Sequence, residues 1–519
     1  MENNIIRYPI GVQSFESLRE LSYIYIDKTD LIYNLVHSGK CYFLSRPRRF
    51  GKSLLLSTIQ AYFEGKKELF KGLAIEQLET EWQSHVVLTL SLAKYNSSIE
   101  GSLEEILNNQ FLTWEHQYDV KIKSTNLASR FENIIRAAYQ ASGKPVVILV
   151  DEYDHPLIET MHDPERSEAH RLLLKSIYVN IKDLDQYIRF TMLTGVSRFS
   201  KMTIFSGLNN LQDISLNREY AAICGITDRE ITDNFRQGIE RLAQEYDTDF
   251  DGAVALLKAN YDGYHFAKTS PDIYNPFSLL WALKDSEIGA YWFQSGTPEF
   301  LIRQIQKSGS FLPDMFDETV EGRTLSSNDI SNTKPTALLY QTGYLTIKGY
   351  EDPDLFHLGI PNLEVRKGLF QNLSDCYVDK DGDRVARNVH QVRKLLETKR
   401  IDEAMERLRT FMAGIPYEFA DKATELHYEN NLFIIFMLIG VDARPEWHTS
   451  DGRIDLLLSM RNYIYIIELK RDGTPEDALA QIVKKDYARQ FAADPRPVIS
   501  LGITFSTRTR NITAWKTAE

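Results

Sequence analysis

Residues 41–53, CYFLSRPRRFGKS, place a short apolar strand before a basic turn and the sequence Gly51-Lys52-Ser53. The apolar residues that follow predict a helix. A strand that turns directly into a helix points backbone N–H groups and the positive end of the helix dipole at one anion. The stretch therefore predicts a phosphate-binding loop, with Lys52 as a solvent-facing charge for phosphate and Ser53 as a hydroxyl ligand of Mg²⁺.

The loop departs from the pattern G-x-x-x-x-G-K-[ST], because Arg46 stands at the position of the first glycine and Pro47 follows it. We expect Arg48 and Arg49 in the turn, together with Gly51, to bind a nucleotide. A basic surface turn without a ligand is the alternative interpretation.

A second stretch joins five apolar residues, 146–150, to Asp151 and Glu152. An apolar run that ends in acids is typical of a buried parallel strand with carboxylates at its carboxyl end. There Asp151 would hold Mg²⁺ and Glu152 would orient an attacking water. The two stretches together predict an ATP and Mg²⁺ site.

Strand-like and helix-like segments alternate around these stretches, which predicts a parallel α/β sheet. A later strand ends in Gly195-Val196-Ser197-Arg198, so Ser197 or Arg198 is expected to sense the γ-phosphate at the same edge of the sheet. A solvated loop arginine is the alternative for Arg198. The predicted strands are 85–92 and 188–194, and the predicted helices are 102–118, 126–142 and 167–181.

Residues 225–285 have a helical pattern that predicts a small lid, with a capping box at Thr227 to Glu230 and Asn275 as the N-cap of a helix that starts at Pro276. Between residues 328 and 360, the pieces LLYQTGYLTI and LFHLGI predict a small β-hairpin, for which a winged-helix module is one interpretation. The charge-rich stretch 384–410 predicts solvated helix surface.

Composition limits the partners and the compartment. A net charge of −12 excludes a uniformly basic coat for nucleic acid, so contact would need local patches such as Arg46, Arg48 and Arg49. The three cysteines form no C-x-x-C pair, which argues against a zinc site or a disulfide framework and fits a reducing cytoplasm. No apolar segment is long enough to span a bilayer, the strongest being 432–441. The sequence predicts a cytoplasmic protein without a membrane partner.

A second candidate site lies near the C-terminus, where two strand-like runs, 452–458 and 463–470, predict a hairpin. Because side chains alternate along a strand, Glu468 and Lys470 leave the same face, and Asp455 on the partner strand can reach it. Two carboxylates suit Mg²⁺ or Mn²⁺, and Lys470 would position or deprotonate a metal-bound water. An exposed hairpin with ordinary surface charges is the alternative.

Two helices are expected beside this hairpin. The helix predicted at 475–490 would direct Gln481 and Tyr487 back at the site, with Gln481 as a further catalytic residue. An earlier helix, from about residue 421, carries Glu425.

The motifs RPRRFGKS, VDEYDHP, LTGVSRFSK and GRIDLLL…YIIELK strongly resemble those of bacterial AAA-ATPase-like proteins that carry a C-terminal nuclease domain of the PD-(D/E)xK superfamily. The resemblance covers nearly the whole chain, and an arginine-rich loop looks usual in that family. It implies a nucleotide site at Lys52, Ser53, Asp151 and Glu152. It also implies a nuclease site at Asp455, Glu468 and Lys470.

We therefore predict an α/β fold in which a P-loop NTPase parallel sheet, with a helical lid and a winged-helix element, precedes a restriction-endonuclease-like α/β domain. The expected divisions are 1–222, 223–375 and 376–519. The predicted function is an ATPase coupled to a nuclease acting on nucleic acid, DNA before RNA, in defence or mobile-element biology. A nucleotide-controlled switch or scaffold and an RNA-processing enzyme are the alternatives, and oligomerisation stays open.

Overall fold

The computed structural model describes residues 6–518 except 122–123, 199–204, 206–207, 209, 295–298, 309–311, 317, 326–334, 352–353, 380, 415–424, 441, 450–451 and 507. Contacts divide the chain into two compact units, residues 1–292 with 320–357 and residues 293–319 with 358–519. The division into three domains at 222 and 375 stays a prediction.

The first unit contains a five-stranded sheet of order β2–β3–β4–β1–β5, and every neighbouring pair in it is parallel. The predicted α/β sheet is therefore confirmed. Since β4 lies between β1 and β3, its carboxyl end meets both the phosphate loop and the acid-ending strand. The strands are β1 (Cys41–Ser45), β2 (Val87–Ser91), β3 (Val146–Asp151), β4 (Ile188–Gly195) and β5 (Gln212–Asp213).

Helices cover this sheet and form a separate helical segment after it. The apolar residues of β3 are all buried, as their unbroken run predicts. The helices are α1 (Phe15–Glu20), α2 (Thr29–Ser38), α3 (Lys52–Phe63), α4 (Ile75–Leu78), α5 (Ser102–Gln117), α6 (Leu127–Ser142), α7 (His155–Glu159), α8 (Pro164–Asp183), α9 (Asp228–Asn234), α10 (Arg236–Glu245), α11 (Phe250–Tyr261), α12 (Pro276–Asp285) and α13 (Tyr291–Gln294). Two 3₁₀ turns, Lys67–Phe70 and Asp185–Tyr187, complete the set described up to residue 294.

The caps predicted for the lid helices are present. Thr227 accepts from the backbone N–H of Glu230 while the Glu230 side chain accepts from the N–H of Thr227, which is a capping box at the start of α9. Asn275 caps α12 ahead of Pro276. Apolar residues of α9 to α12 pack with Tyr8 into one core, so the N-terminal segment belongs to this helical layer.

The stretch predicted as a hairpin between 328 and 360 is partly helical. Leu338 to Thr342 lie in helix α17 (Pro335–Thr342), which ends at Gly343 with φ 91°. The strand prediction was wrong there, because a short apolar run does not distinguish strand from helix. Strand character begins later, and a three-stranded sheet of order β6–β8–β7 forms from β6 (Thr319–Glu321), β7 (Thr346–Glu351) and β8 (Leu355–Gly359); helix α16 is Gly322–Leu325.

The second unit contains a mixed sheet of order β13–β12–β11–β10–β9, in which β11 and β12 are parallel and the other pairs are antiparallel. The predicted hairpin is β10–β11. The strands are β9 (Asp442–Thr449), β10 (Gly452–Ser459), β11 (Ile464–Arg471), β12 (Val498–Ser506) and β13 (Asn511–Ala518).

In two places of the second unit, a stretch that was predicted as one helix is divided into two. Lys399, with φ 58°, separates α19 from α20, and Asp486, with φ 46°, separates α22 from the 3₁₀ turn Tyr487–Phe491. The α-helices are α14 (Glu299–Ser308), α15 (Leu312–Met315), α18 (Leu363–Tyr377), α19 (Gly382–Glu397), α20 (Ile401–Ala413), α21 (Glu425–Ile439) and α22 (Pro475–Lys484). Among the helices described, none has the length and apolar character that crossing a bilayer requires.

Candidate nucleotide and nuclease sites

Lys52 is the first residue of α3 and lies inside the phosphate loop. Gly51 before it has φ 89°, a left-handed conformation that glycine adopts without strain. The expectation of a solvent-facing lysine was wrong, because Lys52 is 6% exposed and its Nζ donates to the carbonyls of Arg46 (2.9 Å) and Pro47 (3.0 Å). Burial lowers the pKa of Lys52 below its ordinary value. A bound phosphate would have to replace these carbonyls as the partner of the ammonium.

Arg46, at the position of the missing glycine, is fully buried rather than part of a surface patch. Its two Nη atoms donate to the carbonyls of four residues, and its guanidinium lies 4.1 Å from the ring centre of Phe266. The predicted basic patch of three arginines was therefore wrong for Arg46, whose side chain ties the loop to the rest of the unit. The four carbonyls belong to Ser45, Ser215, Tyr220 and Ala221.

The other two arginines of the loop remain closer to solvent. Arg48 is half-buried and its carbonyl accepts from Trp292 Nε1 at 3.2 Å. Arg49 is exposed, has φ 69°, and stacks its guanidinium 4.9 Å from the ring centre of Phe277. Their role in nucleotide binding stays a prediction.

Asp151, at the end of β3, connects the three predicted parts of the nucleotide site. It accepts from Ser53 Oγ (2.6 Å) and from Thr194 Oγ1 at the end of β4 (2.7 Å). The serine hydroxyl and the carboxylate are oxygen donors within reach of one ion, which fits Mg²⁺. Glu152 follows with φ 53°, a left-handed conformation that is uncommon and costly for a residue other than glycine and recurs at functional sites.

Asp154, to which the sequence interpretation assigned no role, organises the loop after β4. Asp154 is buried and accepts from the backbone N–H groups of Val196 and Ser197 and from Ser197 Oγ. Gly195 allows this approach, since a Cβ there would lie 2.5 Å from Asp154 Oδ1. The position of Asp154 three residues after Asp151 was the available signal.

Arg198 is bound to a partner within this unit. Its Nη2 and Nε donate to Asp213 Oδ2 at 2.6 and 3.2 Å, and both side chains are nearly buried. Burial opposes ionisation of Asp213, but Arg198 and Ser215 outweigh it and hold the pKa of that carboxyl below its usual range. Sensing of a γ-phosphate by Arg198 stays a prediction and would require the guanidinium to exchange Asp213 for phosphate.

An apolar cavity of about 100 Å³ lies beside the phosphate loop. No local pattern indicated this cavity, because its walls come from separate parts of the chain. They are the N-terminal segment (Ile24, Tyr25, Ile26 and Lys28), the start of α3 (Gly51, Leu54, Leu55) and the helical segment (Ile226, Phe235, Leu280).

The C-terminal hairpin brings its predicted side chains together. Gln481 of α22 donates through Nε2 to Glu468 Oε2 (2.8 Å), and Lys470 Nζ donates to Gln481 Oε1. Glu468 and Lys470 thus leave the same face of β11, as strand alternation predicts. Asp455 of β10 accepts from the backbone N–H of Leu469 at 2.8 Å. The four side chains surround one point.

Close packing of α22 on the sheet positions Gln481. Gly502 of β12 pairs with Glu468, and a Cβ on that glycine would lie 2.4 Å from the carbonyl oxygen of Pro475. Tyr487, expected to point at the site, instead packs in the apolar core with Ile466 and Ile482. The side chain of Glu425 and the residues from 421 to 424 lie outside what the structure describes.

Glu468 is the deeply buried acid of the hairpin. It is fully buried, and its Oε1 receives no hydrogen bond from a described donor. Burial raises the pKa of Glu468 to about 9, and the neighbouring Asp455 carboxylate adds to the shift while Lys470 opposes it.

A divalent cation fits this donor set, because it would compensate two adjacent carboxylates and give the buried oxygen a partner. Within the described part of the chain, no group of three or more His, Cys, Asp or Glu side chains could hold a metal. Water and substrate oxygens would therefore supply the other ligands.

The raised pKa of Glu468 makes the stability of the protein in chelator depend on pH. Between about 4.5 and about 9, the folded carboxyl keeps a proton that the unfolded chain releases, so the free energy of unfolding falls as pH rises. Glu468→Gln has no such proton. In thermal unfolding with EDTA, we expect the wild-type Tm to fall from pH 6 to pH 8.5 by about 3 °C more than the Tm of the variant. Equal pH dependence would contradict the buried, protonated acid.

The fold and these residues define the class of protein. A parallel sheet with a phosphate loop after one strand and an acid at the end of another is that of a P-loop ATPase, and the mixed sheet of the second unit is that of a nuclease fold. Residues 9–205 match the family model for a predicted AAA-ATPase, and residues 423–515 match that of the PD-(D/E)XK nuclease superfamily.

The chain belongs to the family of AAA-ATPase-like proteins with this C-terminal nuclease domain, as the sequence resemblance predicted. It is 34% identical over 520 residues to an uncharacterized protein in the vnfD 5' region of Azotobacter chroococcum mcd 1, with 98% of each chain covered. It is also similar to the structure of the Aeropyrum pernix ORC2 protein in ADPNP-ADP complexes, at 10% identity over 69% of this chain and 92% of that one. The TM-score of that match is 0.25, which is too low to establish a shared fold.

Proposed function

We propose that this protein binds and hydrolyses ATP with Mg²⁺ and that ATP controls a metal-dependent phosphodiesterase acting on nucleic acid, DNA in preference to RNA. The observation that carries the proposal is the bridge from Gln481 to both Glu468 and Lys470, opposite Asp455. A surface hairpin with incidental charges would not bury one of these acids completely.

At the hairpin, Asp455 and Glu468 would hold Mg²⁺ or Mn²⁺. The ion would supply Lewis-acid stabilisation and a more acidic water. Lys470 would position that water or accept its proton, and Gln481 would hold Lys470 and Glu468 at a fixed separation. The Gln481 amide would thereby hold the metal ligand Glu468 and the base Lys470 in position before substrate binds.

At the nucleotide site, Lys52 would exchange the two loop carbonyls for a phosphate, and Ser53 and Asp151 would hold Mg²⁺. Glu152 would orient the attacking water.

Charge supports binding of nucleic acid by the C-terminal region. Residues 376–519 contain equal numbers of basic and acidic residues, so the entire excess of negative charge lies in residues 1–375. A neutral region repels a polyanion less than an acidic one. A cytoplasmic role in defence or mobile-element biology is consistent with this chemistry.

A nucleotide-controlled switch or scaffold is the second candidate. Lys52 is bound to carbonyls and Arg198 to Asp213, so both cations already have protein partners that a nucleotide would have to replace. Such an exchange could change conformation without turnover. The test is cleavage of labelled DNA with Mn²⁺, with and without ATP. A rate that responds to ATP supports control of the nuclease, and a protein that binds ATP but never cleaves supports the switch.

Glu152→Gln is expected to keep ATP affinity and to lower the rate of ATP hydrolysis by about 100-fold, because it removes only the carboxylate that orients water. Nucleotide binding by fluorescence and phosphate release measure the two effects separately. Equal losses of binding and turnover would assign Glu152 a structural role.

A further inference from the structure

The indole of Trp292 is hydrogen-bonded to the phosphate loop. Its Nε1 donates to the backbone carbonyl of Arg48 at 3.2 Å. The ring centre of Trp292 lies 5.1 Å from that of Tyr344, and both side chains are buried. Trp292 therefore contacts the loop on one side and, on the other, the turn that follows α17.

The two neighbouring carbonyls of the loop have different partners. The carbonyl of Pro47 accepts from Lys52 Nζ at 3.0 Å, and the next carbonyl, that of Arg48, accepts from Trp292. Pro47 is also closely packed, because a Cβ on Gly343 would lie 2.7 Å from the Pro47 Cβ. A shift of this segment would therefore act on Trp292 directly through Arg48 and indirectly through the turn that carries Tyr344.

Trp292 lies where the chain passes from one unit to the other. It belongs to α13 (Tyr291–Gln294), and the segment of the first unit ends at Trp292 while residue 293 begins a segment of the second. A single helical turn thus joins a residue bonded to the phosphate loop to the start of the second unit.

Resting on the ATP control proposed above, we propose that the bond from Trp292 to Arg48 transmits the nucleotide state of the phosphate loop to the chain that enters the second unit. A phosphate has to replace the carbonyls of Arg46 and Pro47 as the partner of Lys52. The segment released from Lys52 shifts, and the Arg48 carbonyl leaves the indole. The bond therefore belongs to the nucleotide-free loop, and α13 is released when ATP binds.

The opposition between ATP and this bond fixes the sign of a measurable effect. Coupling between two binding events is reciprocal, so a bond that ATP breaks must itself weaken ATP binding. Loss of the bond is expected to raise ATP affinity about three- to ten-fold, the factor that corresponds to one hydrogen bond. A bond with a structural role alone would leave ATP affinity unchanged or lower it.

Trp292→Phe tests this effect in the full-length protein, because it removes the indole N–H and keeps an aromatic ring beside Tyr344. Calorimetric titration with ATP and Mg²⁺ should show the three- to ten-fold tighter binding. Cleavage of labelled DNA with Mn²⁺ and without ATP should move to the rate that wild-type protein has with ATP. Adding ATP should then change the rate of the variant little.

Trp82→Phe is the matched control. Among the described residues none accepts a hydrogen bond from Trp82 Nε1, and the ring packs on Tyr62 and Phe70. The same exchange at this position removes no described hydrogen bond. We expect ATP affinity and the response of cleavage to ATP to stay at wild-type values.

Hydrogen exchange of the wild-type protein tests the inference without a variant. Binding of ATP should slow exchange in the peptide that contains the phosphate loop, and it should speed exchange in the peptide that contains α13. Slower exchange in the loop with unchanged or slower exchange in α13 would overturn the role of the bond.

The outcomes separate this inference from the proposed function. Wild-type protein that does not bind ATP, or whose cleavage does not respond to ATP, overturns the proposed control and the role of the bond with it. Wild-type protein that responds to ATP, beside a folded Trp292 variant of equal or weaker ATP affinity, overturns the role of the bond alone. Thermal unfolding of each variant identifies any loss that comes from misfolding.

Discussion

Asp455→Ala, Glu468→Ala and Lys470→Ala are each expected to lower the rate of nucleic-acid cleavage on the order of 1,000-fold. Gln481 holds Glu468 and Lys470, and Asp455 lies on the neighbouring strand, so the four side chains act as one unit. Initial rates on end-labelled DNA with Mn²⁺ measure the effect. Double variants should be hardly worse than single ones, because residues that act together are strongly non-additive.

Metal affinity should separate these variants. Loss of either carboxylate should weaken Mn²⁺ binding, whereas Lys470→Ala should retain it, because an ammonium is not a ligand. ATP binding should survive in all three. The matched control is Glu476→Ala. This change removes an exposed carboxylate that pairs with Lys516 and lies on α22, the helix that carries Gln481. Normal cleavage by the Asp455 variant would refute the site.

Lys52→Ala is expected to weaken ATP binding by about 100-fold or more, because it removes the ammonium that would contact the phosphates. Calorimetric titration of ATP with Mg²⁺ gives the affinity. Since Lys52 also satisfies the carbonyls of Arg46 and Pro47, a modest decrease in Tm is expected as well.

The control for this variant is Lys66→Ala, which removes an exposed lysine paired with Glu16 and Glu64. Surface pairs of this kind contribute little to stability, so neither ATP affinity nor Tm should change much. Unchanged ATP affinity in the Lys52 variant would remove the phosphate-loop assignment.

Strand alternation and caps made much of the fold predictable from the sequence. The period of two placed Glu468 and Lys470 on one face without knowledge of any distant contact. The capping box at Thr227 and the N-cap at Asn275 are equally local, and both were read correctly. The parallel sheet followed from alternating strands and helices.

Side-chain burial in the phosphate loop could not be predicted in the same way. Arg46 is buried because its guanidinium finds carbonyls at Ser215, Tyr220 and Ala221 and the ring of Phe266, all more than 160 residues away. The residues near Arg46 in the sequence do not indicate such distant partners. The same holds for the pairing of Arg198 with Asp213, which only the packing of β5 beside β1 reveals.

The prediction of helix boundaries was wrong for a different reason. Residues 338–342, LLYQT, form a short segment without a clear period, and the choice between strand and helix depends on Pro335 before it and Gly343 after it. The break at Asp486 depends on a left-handed backbone that the propensities of the neighbouring residues do not indicate.

The most direct test of the central claim, that the C-terminal hairpin is a metal-dependent nuclease site, is cleavage by purified wild-type protein. Single- and double-stranded DNA and RNA are incubated with the protein in Mn²⁺, in Mg²⁺ and in EDTA. We predict cleavage with metal, none in EDTA, and DNA cut faster than RNA. No metal-dependent cleavage of any of the four nucleic acids would contradict the claim.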